Sequence, residues 1–190
     1  NDPSLHKDLG NLFYRTDALF LALEEYRTAL FISPEYFEAQ YNLGIAHIEG
    51  VGADYSPKLA VAYFRQAAQG GVSEAAYNLG VLYFQGRGVP QNYKKAFASY
   101  SKASKRGFAP AQNNLGFLYQ KGMGTEQSNT NAYGWYSISA ANGSRAGLKN
   151  RDILLAQLLE EEGTEVVSDI QSLALKCMQN NYENCFEDES

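Results

Sequence analysis

The sequence predicts an all-α protein: a right-handed α-solenoid of helix–turn–helix repeats, closed by C-terminal capping helices. Three observations carry this expectation. The dipeptide Leu-Gly returns at Leu9-Gly10, Leu43-Gly44, Leu79-Gly80 and Leu115-Gly116, at spacings of 34, 36 and 36 residues. A glycine pair returns in step with it, at Gly50/Gly52, Gly86/Gly88 and Gly122/Gly124. A second set keeps the same phase: Ala60, Ala96 and Ala132 with Phe64, Tyr100 and Tyr136, each unit closing at Gly71, Gly107 or Gly143. A fixed period of this kind marks a stacked array, in which a unit buries its apolar face only against its neighbours.

Each unit reads as two helices. Ala75, Leu79 and Tyr83 fall at i, i+4 and i+8 and make one helical stripe, and Ala96, Tyr100 and Ala103 make a second. The small residues allow the two helices to approach closely. Gly86 and Gly88 end the first helix, where a glycine takes a left-handed conformation without penalty. Ser56, Asn92 and Ser128 stand just before the second helix, and all are good N-cap residues. Pro57 follows the first of these caps, the position a helix start tolerates best. Beyond Gly147 the pattern stops. "LKNRDILLAQLLEEEG" reads as a leucine-rich amphipathic helix ending at Gly163, and Thr164 can cap another, "EVVSDIQSLALKCMQNNY". Such helices cover the open end of a stack. The last residues, "FEDES", are acidic.

Bulk properties narrow the function classes. The chain has 190 residues, 45% hydrophobic and 19% charged, which is a globular and not a disordered composition. A net charge of −5 argues against a nucleic-acid binder, which needs a concentrated basic face. Tyrosine is abundant, at 14 residues, and suits both helix packing and an interaction surface. No apolar run reaches the roughly 18 residues of a membrane-spanning helix. The chain begins at Asn1 without methionine, which fits either a removed leader or a shortened chain. Cys177 and Cys185, the only cysteines, suit one local disulfide in an oxidising compartment; the alternative is a pair of reduced thiols.

The segment "FQGRGVPQNYKKAF" raises the possibility of a phosphate cradle, with glycines before a basic helix. The loop occurs three times, no strand precedes it and no Lys-Ser/Thr follows, so it reads as a structural turn. Lys94 and Lys95 align with Lys58 and Leu59 in one neighbour and with Thr130 and Asn131 in the other, so no basic pattern repeats. His6 and His47 lie in different repeats and form no catalytic set, and two cysteines alone close no zinc site. His47 holds the position of Tyr83 and Tyr119, a packing position. No catalytic residue, metal site or cofactor is expected.

The motifs carry a resemblance. "A-x3-L-G-x2-Y-x2-G-x-G" followed by "A-x3-[FY]-x2-A-[AS]-x2-G" resembles Sel1-like repeats, and Leu9, Gly10, Phe13, Ala22, Tyr26, Ala29 and Pro34 match the related tetratricopeptide pattern. In the fourth unit Thr125 replaces the valine seen at Val89, and Ser139 replaces Ala103. The resemblance implies one tetratricopeptide-like repeat and three Sel1-like repeats over 1–147 (about 4–37, 38–72, 73–108 and 109–147), with capping helices and an acidic tail over 148–190. The tail resembles the cap of exported bacterial Sel1-like proteins, in which a cysteine pair brackets a tyrosine; here these are Cys177, Tyr182 and Cys185.

In such superhelices the first helix of each unit lines a concave groove that accepts a peptide. The repeat phase then implies Lys7, Asn11 and Tyr14 from the first unit, and Tyr41, Asn42, Ile45 and Ile48 from the second. Tyr77, Asn78, Val81 and Phe84 follow from the third, and Asn113, Asn114, Phe117 and Gln120 from the fourth. Asn42, Asn78 and Asn114 make an amide ladder beside an aromatic stripe of Tyr41, Tyr77, Phe84 and Phe117. Lys7, Asn11 and Asn42 also fit the start of a tetratricopeptide carboxylate clamp, but Glu74 and Asn78 stand where that clamp needs basic residues.

The function expected is a non-enzymatic scaffold or adaptor. It would hold a peptide or partner protein in the groove, bind no nucleic acid, and work in the bacterial periplasm or outside the cell after loss of a leader. The rival is a cell-wall or lactam hydrolase of the cysteine-rich Sel1-like type, whose repeats carry paired cysteines that this chain lacks. Thiol counting on protein purified without reductant is expected to find no free thiol, and two free thiols would remove the argument for export.

Overall fold

The computed structural model describes residues 2–161, 164–182 and 185. Gly163, read above as a helix end, and the acidic residues 186–190 lie outside the described residues. Ten helices and no strand occur among the described residues. They fall into two compact units, Asn1–Gln91 and Asn92–Ser190. The first unit holds α1 (Pro3–Arg15), α2 (Leu19–Ile32), α3 (Phe37–Glu49), α4 (Pro57–Gln69) and α5 (Ser73–Gln85). The second holds α6 (Tyr93–Ser104), α7 (Ala109–Lys121), α8 (Asn129–Ala141), α9 (Arg145–Glu161) and α10 (Thr164–Gln179).

Helix pairing rests on one contact, repeated. In α1, α3 and α7 the glycine of the Leu-Gly pair faces an aromatic ring from the following helix. A Cβ added to Gly10, Gly44 or Gly116 would lie 2.5, 2.6 or 2.8 Å from the ring of Tyr26, Phe64 or Tyr136. These rings are buried, with Phe64 and Tyr136 each 1% exposed, and cannot swing away. The helices therefore touch backbone to ring, and alanines such as Ala22, Ala60 and Ala132 fill what remains. Between repeats the core of the first unit joins Ala22, Leu23, Tyr26 and Ala29 of α2 to Ala39, Leu43 and Ala46 of α3.

The glycine-pair loop has two functions, one for each glycine. Gly50, Gly86 and Gly122 adopt φ of 70°, 70° and 64° and end α3, α5 and α7 in the left-handed region. The second glycine makes room for a neighbour. A Cβ on Gly88 would stand 2.5 Å from the backbone carbonyl of Pro57, at the start of α4, and Gly124 rests in the same way on Tyr93 at the start of α6. Each loop thus seats on the first residue of the preceding repeat's second helix. The caps fall where the spacing placed them: Ser56, Asn92 and Ser128 accept from the N–H groups of Leu59, Lys95 and Asn131 at 3.4, 2.9 and 3.1 Å.

Carbonyls left open at the loop also find partners. Gln91 Nε2 donates to Phe84 O at 2.8 Å, and Gln127 Nε2 to Gln120 O at 3.0 Å. The second repeat has Tyr55 at this position, whose side chain carries no amide. There Arg87 supplies the bond, donating from Nη2 to Ile48 O at 3.3 Å and from Nε to the Tyr55 hydroxyl at 2.8 Å. His47 is 8% exposed, stacks on Tyr63 at 5.7 Å and contacts Asp54 O through Nδ1 at 3.1 Å, which is the packing position read from the repeat.

In the second unit, Leu154 and Leu158 of α9 and Val167 and Ile170 of α10 pack on Ala132, Tyr133 and Tyr136 of α8. Helix α9 begins at Arg145, ahead of the sequence estimate after Gly147, because Ser144 Oγ accepts from Gly147 N at 3.1 Å and caps it. Cys177 and Cys185 are joined as a disulfide with their Cα atoms 5.2 Å apart. Between them Tyr182 takes φ of 64° and lays its ring against Gly107. Its hydroxyl accepts from Asn142 Nδ2 at 3.0 Å, and Asn142 Nδ2 also donates to Gln112 Oε1 at 2.9 Å.

Replacing Gly44 by alanine is expected to destabilise the protein by about 2 kcal/mol, because overpacking against Phe64 outweighs alanine's helix preference of up to ~1 kcal/mol. Pairing Gly44→Ala with Phe64→Leu should restore part of that loss in urea denaturation.

Candidate functional site

The first helices of the repeats carry half-buried side chains at most of the positions assigned to the groove. In the first unit α1 and α3 enclose a cavity of about 440 Å³ lined by Asn11, Tyr14, Arg15, Tyr26, Tyr41, Asn42, Ile45 and Glu49. Five of these, Asn11, Tyr14, Tyr41, Asn42 and Ile45, are among the residues that the repeat phase assigns to the groove. Arg15, Tyr26 and Glu49 are additions. Tyr26 enters because its hydroxyl, carried on the second helix, reaches across to donate to Asn11 Oδ1 at 2.9 Å. Arg15 and Glu49 sit at the last turns of α1 and α3, one residue beyond the positions that repeat phase singles out.

The polar groups are arranged before any partner arrives. Asn11 Oδ1 also accepts from Asn42 Nδ2 at 2.9 Å, so the two amides are locked together. The Tyr14 hydroxyl donates to Glu49 Oε2 at 2.7 Å. That carboxylate pushes the Tyr14 phenol up to about 12, with partial burial adding to it. Burial raises Tyr41 as well, the Glu74 carboxylate adds to this, and a hydrogen bond with the Asn78 side chain acts the other way. The Tyr41 ring also packs on Phe64 at 5.9 Å, so part of its surface belongs to the core. Tyr77, Asn78, Val81 and Phe84 on α5 and Ile48 on α3 are half-buried.

Lys7 does not line the cavity. Its ammonium pairs with Asp8 Oδ1 at 2.5 Å, and that bond raises the Lys7 pKa. With Glu49 in the cavity and Arg15 as the one cation among its lining residues, the cavity does not present the converging cations of a carboxylate clamp.

In the second unit α7 carries Asn113, Asn114, Phe117 and Gln120, all half-buried. Asn113 Nδ2 faces Asn114 Oδ1 at 3.4 Å, and Asn150 of α9 donates to Asn113 Oδ1 at 2.8 Å. Gln120 Oε1 accepts from the Tyr136 hydroxyl at 3.0 Å. This repeats the device of the first unit: an aromatic hydroxyl from the second helix fixes an amide on the first.

A family model described as Sel1 repeat matches residues 37–72, 73–108 and 109–144, more than half of the chain. The chain belongs to the Sel1 repeat family. The pair α1–α2, which lacks the glycine-pair loop, lies before the first matched stretch. Among solved structures, a Sel1 repeat protein from Oxalobacter formigenes aligns with a TM-score of 0.74 at 23% identity, over 91% of this chain and 70% of that one. The protective antigen c5321 of uropathogenic Escherichia coli, which displays an SLR fold, aligns with a TM-score of 0.54 at 23% identity, over 100% of this chain and 49% of that one. At these identities the likeness is one of fold, a helical solenoid of Sel1-like repeats. A comparison with curated proteins found no significant match. Sel1 repeats generally mediate protein–protein interactions. No helix among the described residues is long and apolar enough to cross a membrane.

The phenols give this Sel1 array a pH signature. Tyr14, Tyr26 and Tyr136 all stand at about 12, Tyr14 through Glu49 and the other two through burial. Their folded pKa values lie above the unfolded value of about 10, so the stability they contribute is complete below pH 10. It is lost as pH rises from about 10 through about 12, where the unfolded chain ionises first. The urea midpoint should fall over that window, and the Glu49→Gln variant should show one tyrosine titrating earlier in ultraviolet absorbance.

Proposed function

We propose that this protein is a non-enzymatic scaffold or adaptor that holds a segment of a partner protein on its first-helix faces. The observation that carries the reading is the cavity between α1 and α3. Its aromatic surface (Tyr14, Tyr41) and pre-bonded amides (Asn11, Asn42) line it together with the aliphatic side chain of Ile45. Rigid aromatics offer contact area at little entropic cost, and fixed amides offer donors and acceptors to a peptide backbone. In the first unit Tyr77, Asn78, Val81 and Phe84 extend this surface along α5. In the second, Asn113, Asn114, Phe117 and Gln120 form the corresponding face of α7. The Cys177–Cys185 disulfide supports work in an oxidising, extracytoplasmic compartment of a bacterium, such as the periplasm.

A photo-crosslinking residue placed at Asn42 or Ile45 should capture a discrete partner in the native host. The same residue at Gln66, exposed on α4, should not. Tyr14→Ala with Tyr77→Ala should weaken capture by at least about thirtyfold, as loss of aromatic anchors does. A partner set identical for both crosslinker placements, and unchanged in the double variant, would sink the proposal.

A further inference from the structure

Helix α6 carries a charge pattern that the repeat does not require. Lys94, Lys95, Lys102, Lys105 and Arg106 are all exposed. At about 100° per residue, the four lysines fall within an arc of roughly 100° on one side of the helix. Lys105, at the cap, keeps αR geometry and so continues the stripe, and Arg106 follows it. Ala98, exposed near the centre of the arc, leaves the backbone approachable. The opposite side, Ala96, Tyr100 and Ala103, is buried.

The equivalent positions show that most of these cations are not part of the scaffold; Lys94 alone has a cationic counterpart, Lys58. Lys95, Lys102 and Lys105 correspond to Leu59, Gln66 and Gln69 on α4, and to Asn131, Ile138 and Ala141 on α8. Between Glu74 and Glu126 the sequence contains no acidic residue, although the whole chain carries a net charge of −5. Lys94 and Lys95 also sit in the first turn of α6, where the helix dipole disfavours cations. Lys102 is held below its ordinary value by partial burial and then by the like charge of Arg106. Lys102 and Arg106 repel one another and Lys94 stands against the helix end, so these three gain most from an anionic partner.

We infer that the exposed face of α6 is a second docking surface, which binds an acidic segment of a partner protein. It is separate from the first-helix faces and does not depend on them. Twelve helical residues span about 18 Å, the reach of five or six extended residues. That suits a short run of carboxylates. A long polyanion or a membrane surface would also meet the rest of a negatively charged molecule, beyond a screening length of about 8 Å. The stripe also has no exposed aromatic residue of the kind that stacks on nucleic-acid bases.

The test is fluorescence anisotropy of a labelled oligoglutamate peptide with the full chain at near-physiological salt. Saturable binding is expected. It should weaken at least about tenfold in Lys102→Glu/Arg106→Glu and by a smaller factor in Lys94→Gln/Lys102→Gln. Reversal of the exposed Lys58 on α4 (Lys58→Glu) should change it little. Unaltered thermal melting would show that the variants fold. The inference is overturned by absence of saturable binding, or by an equal loss in Lys58→Glu. It is also overturned if a single-stranded oligonucleotide or anionic phospholipid vesicles bind more tightly. A salt-sensitive dimer in sedimentation, lost in the double reversal, would assign the stripe to a second copy and overturn it too.

Discussion

An aromatic ring lying on a helix that has no side chain to meet it is the contact on which the first, second and fourth repeats depend. Packed helices ordinarily stand about 8–10 Å apart, at a distance set by the side chains between them. Here Gly10, Gly44 and Gly116 remove one side of that interface, and the rings of Tyr26, Phe64 and Tyr136 occupy the space. The consequence reaches neighbouring positions of the same helix. With the glycines turned inward, the amides of Asn11 and Gln120 stand within reach of the second helix. A tyrosine hydroxyl on that helix is long enough to reach Asn11 or Gln120. Packing and surface chemistry are therefore coupled through single residues: Tyr26 fills the core with its ring and orders a surface amide with its oxygen.

A second constraint is the need to satisfy backbone groups at helix ends without lengthening the loops. Left-handed glycines turn the chain, and side-chain caps take the first N–H groups. Gln91 and Gln127 take carbonyls of the preceding helix. Where the second repeat has Tyr55, Arg87 from the next loop replaces the missing amide. The requirement belongs to the backbone, and different side chains meet it. At the other end of the chain the disulfide and Tyr182 serve a related purpose. Tyr182 reaches Asn142, and Asn142 reaches the fully buried Gln112.

Against this uniform framework, the functional candidates are the positions where one copy departs from the others. Glu49 and Arg15 at the α1–α3 cavity, and the cations of α6, are not dictated by the repeat. A fold of this class supports many partners, so specificity must reside in such departures.

The helix pairs, the loop glycines, the three caps and the packing role of His47 were all legible in the sequence. Each follows from a local rule repeated at a fixed period: which residues tolerate a left-handed turn, which cap an N-terminus, which fall on one helical face. Five residues of the α1–α3 cavity were legible for the same reason. What only the tertiary structure decided were the long-range pairings that periodicity does not encode. Tyr26 joins the cavity through its hydroxyl, Lys7 leaves it for Asp8, Glu49 holds Tyr14, and Arg87 covers for Tyr55. These depend on where side-chain ends meet in space, which a repeat phase, blind to reach and to neighbouring charge, does not specify.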